Sequence, residues 1–286
     1  MKKIKIITDS TADIPSELLE ELNIGVVPLK VHLKGETYID GVTIQPSEFY
    51  KLLQESDELP TTSQPSPVDF VEKYREAKEA GYEEIISIHL SSALSGTYQS
   101  AMLAKSMVED EVNVEVIDSK GASYAFGIIV VEAARAAQAG RSLEECVALV
   151  NRLIKESYVL FLVDTLDYLL KGGRIGKASA VVGSLLNIKP ILSLSDEGEV
   201  YPVEKVRGKS KAVERVFQLV GENLPSGPVR AAVMHSEAPE EAKKWADRLS
   251  DTFGVKDLIT TYVGPVIGTH TGPKTVAVVL IPTSET

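Results

Sequence analysis

The sequence has one cysteine, Cys146, one tryptophan and four histidines among its 286 residues. A lone cysteine forms no internal disulfide. Cys146 lies in an amphipathic helical stretch as a small core residue would, and a reducing compartment fits it. No pair of histidines, cysteines or carboxylates stands at metal-ligand spacing, so neither a metal nor a cofactor is expected. Asp164 and Asp167 read as solvated loop positions. No apolar run approaches the length of a membrane span. Met1-Lys2-Lys3-Ile4 runs straight into a strand without a signal-peptide core, so the expected location is cytoplasmic. Positive charge is scarce too. A formal net charge of −11 argues against a nucleic-acid backbone or an anionic membrane as the main partner.

Three catalytic signatures are also missing. No Gly-x-Gly-x-x-Gly follows a strand, and Gly176-Lys177 runs into Ala178 where a Walker A loop needs Ser or Thr. A nucleophile elbow needs glycines two residues either side of its serine, whereas Ser95 has Ala93 and Thr97.

What is present is a regular alternation of strand and helix. Ile4 to Thr8 reads as a buried strand ending in Asp9-Ser10-Thr11, with Pro15 opening a helix after it. Gly25 to Leu33 reads as a second strand, Pro46 to Leu53 as a short helix, and Pro60 to Pro67 as a proline-fixed loop ahead of a helix to Ala80. Glu84 to His89 and Val114 to Ile117 are further strands; long helices follow over Ala122 to Ala139 and Leu143 to Glu156. This order predicts a doubly wound, mainly parallel sheet over residues 1–157. After Ser157 the pattern changes. Ile188 to Leu194 and Glu199 to Val206 form a hairpin through Ser195-Asp196-Glu197-Gly198, with helices and strands after it. Residues 158–286 are therefore expected to form a second α/β domain with a mixed, partly antiparallel sheet.

The chemistry gathers where strands end. After Ile85-Ile86-Ser87-Ile88-His89 comes Leu90 to Ser100, and a helix should begin near Gly96 or Thr97. A strand turning sharply into a helix leaves free N–H groups with a helix dipole behind them, which suits a phosphate or carboxylate. Ser92, Ser95 and Thr97 add hydroxyls there, and Gly96 permits close approach. A serine-rich cap that merely starts the helix is the other reading. The hydroxyls of the Pro60 to Pro67 loop, Thr62 and Ser63 among them, either close over that site or cap a helix. Gly264 to Pro273 lies between the last two strands with glycines at a spacing of four. Those glycines read as tight turns open to close approach by a ligand or another backbone, and the stretch carries His270, the best placed of the histidines to donate to an anion. His32, His89 and His235 read as structural.

These stretches together resemble the DegV family of bacterial fatty-acid-binding proteins. The matching segments are Asp9 to Asp13, Thr62 to Ser66, Ser91 to Ser100, Gly172-Gly173-Arg174-Ile175, Lys189-Pro190-Ile191 and Gly264 to Gly272, in family order over about residues 3–282. The resemblance implies two α/β domains with a long-chain fatty acid in a deep tunnel. It places the ligand carboxylate on Thr62 and Ser95, with the Gly96 N–H and His270 close by; the hydroxyls of Ser63, Ser92 and Thr97 are further candidates for the pocket edge. It also implies a lipid-binding subunit that is not catalytic alone. A separate ATP-dependent kinase makes the acyl phosphate for phospholipid synthesis, meeting Arg174 and Arg207. Two other classes are a small-molecule hydrolase using Ser95 and His270, which the missing elbow opposes, and a ligand-responsive regulatory protein, which the acidic charge opposes if its partner is nucleic acid.

Overall fold

Consecutive rather than alternating apolar residues mark strands buried on both faces. In the computed structural model, which describes residues 3–183 and 187–283, such strands sit at the centre of two sheets. The chain begins β1 (Ile4–Asp9), α1 (Ser16–Glu21), β2 (Gly25–Val27), β3 (Lys30–Leu33), β4 (Glu36–Ile39), α2 (Pro46–Gln54), β5 (Thr61–Ser63) and α3 (Pro67–Glu79). It continues through β6 (Glu84–His89), α4 (Thr97–Met107), β7 (Asn113–Asp118), α5 (Tyr124–Gln138) and α6 (Leu143–Glu156). The second half holds β8 (Tyr158–Leu162), α7 (Asp167–Lys171), β9 (Ile188–Leu194), β10 (Val200–Arg207), α8 (Lys209–Glu222), β11 (Val229–His235), α9 (Pro239–Phe253), β12 (Asp257–Tyr262), α10 (Pro265–Thr271) and β13 (Val276–Pro282).

The first sheet is parallel throughout, in the order β2-β1-β6-β7. The second, β10-β9-β8-β13-β11-β12, pairs only β11 and β12 in parallel and is antiparallel elsewhere. Helices α3 and α4 cover the outer face of the first sheet through Phe70, Tyr74 and Ala101. Helices α8 and α9 cover the outer face of the second through Phe217, Trp245 and Leu249. Between the two sheets lie α5 and α6, and one apolar cluster runs from Ile86 through Ile129 to Val279. The result is five layers: helices, sheet, helices, sheet, helices.

Helix α5 explains how the layers join. Its run Tyr124–Val131 is buried at every position, as befits a helix that is apolar all round. It packs on β1 from one side and on β11 and β13 from the other. Gly127 allows the closest approach, since a β-carbon there would strike the Ala12 carbonyl. Helix α6 has a polar outer face instead and starts at a capping box, Ser142 with Glu145.

Three expectations need correction. Gly25 to Leu33 is two strands, because Pro28 cannot donate to a ladder and the chain leaves β2 there. The departing strand β3 pairs with β4 and β5 in a third, antiparallel sheet. The stretch Pro60 to Pro67 is accordingly more than a loop, for β5 lies inside it and aligns Thr62 with Val31. Last, Gly264 to Pro273 is mostly helix α10, with Gly264 as its cap.

Candidate functional site

A cavity opens between the carboxyl ends of the first sheet and the inner face of the second. It is lined by Leu90 beyond β6, Ala122 and Ala125 around the head of α5, Phe161 on β8, Met234 on β11 and Ala277 on β13. With its mouth, open solvent included, it encloses ≈ 860 Å³ of space between atoms. Leu194 and Val200 from the β9–β10 hairpin and Val266 and Ile267 from α10 extend the apolar lining.

Thr62, Ser95, Arg174 and His270 also line this cavity, and together they form a polar group at its wall. Thr62 is fixed by the β5–β3 pairing, and its Oγ1 lies 2.9 Å from His270 Nε2. Ser95 follows a tight turn in which the Leu94 and Ser95 amides both donate to the Ser91 carbonyl. Its Oγ lies 2.9 Å from Thr97 Oγ1 and accepts the Thr97 N–H. Arg174 Nε donates to the Leu94 carbonyl at 3.0 Å and Nη1 to the Gly172 carbonyl at 2.8 Å. The guanidinium is thereby held beside the site.

His270 is neutral in this setting. Burial, and then the nearby Arg174 charge, lowers its pKa from 6.5 to about 4. A neutral imidazole carries one N–H, and the Thr62 hydroxyl can meet either tautomer because it both donates and accepts. The other ring nitrogen, Nδ1, is buried and has no hydrogen-bond partner among the described residues. It packs over Gly172, where a β-carbon would collide with it.

The other expected residues lie around this group and outside the lining. Thr97 is fully buried behind Ser95. Gly96 caps α4 beneath the Gln64 side chain, which fills the space a β-carbon would take. Ser63 points to His32 Nε2, at 2.9 Å. Ser92 uses its amide on Asp118 Oδ1 at 3.2 Å. Arg207 is exposed at the end of β10 remote from Val200, the residue of that strand that lines the cavity. The structure therefore brings Thr62, Ser95, Arg174 and His270 together and sets Arg207 apart.

Among the described residues no hydrogen bond joins Ser95 to His270; each has the different partner given above. A serine–histidine–aspartate chain does occur, but in the core. Ser87 Oγ lies 2.7 Å from His89 Nε2, and His89 Nδ1 lies 3.0 Å from Asp9 Oδ2. All three residues are 0% exposed, so no substrate reaches them. Asp9 also accepts the Leu90 and Thr11 amides and the Thr11 hydroxyl, which makes it a structural anchor.

Ser123 is a lining residue that the sequence pattern did not single out. Its signal is conformational: φ +55° and ψ −159° lie in a region almost reserved for glycine. Among the described residues no cluster of three or more His, Cys, Asp or Glu side chains is arranged to hold a metal ion. Nor is any helix there long and apolar enough to cross a membrane.

Comparison with known proteins extends over the whole chain. The model of the DegV family, described as uncharacterised proteins, matches residues 3–283. A solved structure described as fatty acid binding of a DegV family protein from Thermus thermophilus superposes with a TM-score of 0.93 at 38% identity, covering 99% of this chain and 100% of that one. DegV from Bacillus subtilis, described as a fatty acid binding protein, gives 0.92 at 38% identity, with coverage of 99% and 100%. A DegV domain-containing protein of Listeria innocua is 39% identical over 272 residues, 95% of each chain.

Proposed function

The chain belongs to the DegV family, and from that premise we propose that it binds a long-chain fatty acid and presents the carboxylate to a separate ATP-dependent kinase. The observation that carries this reading is an apolar cavity with Thr62, Ser95, His270 and Arg174 grouped on its wall. Each buried methylene contributes about 0.8 kcal/mol, so a long tail supplies on the order of 10 kcal/mol before ordering costs. The head group then needs orientation more than affinity. Two hydroxyls and a neutral imidazole orient a carboxylate without a nucleophile–base pair, and the Gly96 N–H at the start of α4 would add a donor.

The chain works without a cofactor and does no phosphoryl transfer alone. That reaction needs a positioned nucleotide and metal, and the sequence carries neither a Walker A loop nor a kinase-type glycine loop. Arg174 sits where it can steady an acyl phosphate, and Arg207 is free to meet an acidic partner surface. The acyl phosphate then enters phospholipid synthesis, in the cytoplasm where ATP is available.

Native mass spectrometry of the purified protein, followed by incubation with oleate, magnesium, ATP and a purified partner kinase, tests both parts. A fatty-acid adduct and kinase-dependent oleoyl phosphate are expected. A protein that stays empty when offered oleate and palmitate overturns the binding reading. Turnover without the kinase overturns the division of labour.

A further inference from the structure

Asp13 ties two walls of the cavity together without lining it. It follows the Ser10–Ala12 turn in a left-handed conformation, φ +48°, which aspartate tolerates. Its Oδ2 accepts the Ser123 hydroxyl at 2.5 Å. Its carboxyl also packs against Gly264, the cap of α10. Ser123 belongs to the wall at the head of α5; Ile267, His270 and Thr271 belong to the wall formed by α10. A serine held in glycine's conformational territory needs a restraint, and the bond to Asp13 supplies one.

The glycines at a spacing of four explain how α10 is gripped. A β-carbon at Gly264 would strike the Asp13 carboxyl, one at Gly268 the Tyr50 hydroxyl, and one at Gly272 the Tyr168 ring. Tyr50 also donates to the Val263 carbonyl at 2.9 Å, just ahead of the helix. Three side chains from elsewhere in the fold thus lock into one helix, with Asp13 at its head.

We infer that Asp13 is the clasp of the cavity: ligand exchange requires its contacts with Gly264 and Ser123 to open, so that α10 parts from the head of α5. The ligand rests on the fatty-acid reading above; the clasp itself does not. Protonation offers an independent handle. Burial, and next the Asp40 carboxyl, raises the proton affinity of Asp13 well above the usual carboxylate range, against the opposing effect of the Ser123 hydroxyl. The titratable groups facing it are Asp9 and Asp40, near the ends of β1 and β4, and Tyr50 from α2. All are acids. A group that holds its proton more tightly when closed than when solvated favours opening as pH rises.

The test follows release of cis-parinaric acid from the full-length protein to albumin by stopped flow across rising pH. Amide hydrogen exchange of α10 in ligand-free protein is measured alongside. Asp13→Ala should speed release and α10 exchange at least tenfold at neutral pH. Asp13→Asn, an uncharged isostere, should restore slow release and flatten the rise that the unaltered protein shows towards high pH. Should Asp13→Ala fold poorly, Gly264→Ala presses a β-carbon onto the same carboxyl and should also speed both readouts. Unchanged α10 exchange in Asp13→Ala or Gly264→Ala overturns the clasp, as does Asp13→Asn releasing as fast as Asp13→Ala. If the unaltered protein takes up no cis-parinaric acid, the fatty-acid reading fails while α10 exchange still decides the clasp.

Discussion

Two of the hydroxyl–imidazole groups in this molecule, those of His89 and His270, have opposite fates. In the core, Tyr74 donates to Ser87, Ser87 meets His89, and His89 meets Asp9, with every member 0% exposed. At the cavity, Thr62 meets His270 and Ser95 meets Thr97, while His270 Nδ1 keeps no partner among the described residues. The first group has the order of a catalytic triad and the second does not. Yet only the second borders a space that a ligand can enter. Residue identity and spacing therefore mislead here; accessibility and unspent hydrogen-bonding capacity separate scaffold from site.

The contrast breaks most sharply at Asp9. Removing its carboxylate strands the His89 imidazole and the Leu90 and Thr11 amides in a dry core. Asp9→Ala should destabilise the fold by roughly 3–5 kcal/mol, the range for breaking a buried pair. Urea unfolding reads the loss, and a loss below about 1 kcal/mol would mean the core group is not an anchor. At the cavity the effect should move from stability to binding. Ser95→Ala should weaken oleate binding by roughly 1–3 kcal/mol while shifting the urea midpoint little. Calorimetry measures the first quantity, and unchanged affinity would remove Ser95 from the head-group site.

The smallest effect sharpens the contrast through pH. His270 has its proton affinity lowered in the folded state, so the unfolded chain binds that proton first as pH falls. Its contribution to stability is complete above about 6.5 and is lost as pH drops towards about 4. Between pH 7 and 8 the imidazole stays neutral, and oleate affinity should be flat across that interval. An NMR titration of the ring with a midpoint near 6.5 would place His270 in water and contradict its burial.

Much of the architecture was legible because its signals are local. Buried runs marked the strands, and the Ser195 to Gly198 turn marked the β9–β10 hairpin. The third sheet escaped notice because β3, β4 and β5 are only three or four residues long, too short for a period to show. Helix α10 was hidden by its own glycines, which read as turn signals but serve close packing. The site divides along the same line. Thr62, Ser95 and His270 stood out as polar residues in motifs that resemble a family pattern. Ser123 and Asp13 meet across 110 positions of chain, and their pairing has no trace in either neighbourhood.

Helix α5 has a consequence for synthesis. As the chain leaves the ribosome, Ile4 to Asp118 can assemble the first sheet, and α5 can settle against β1. The face of α5 that later meets β11 and β13 stays incompletely covered until Val276 to Pro282 emerges, because β13 is the strand that joins β8 to β11. Nascent chains of this length carry a wide apolar band that chaperones bind and that neighbouring chains on a polysome can share. The layer that unites the finished protein is thus its most exposed liability while it is being made.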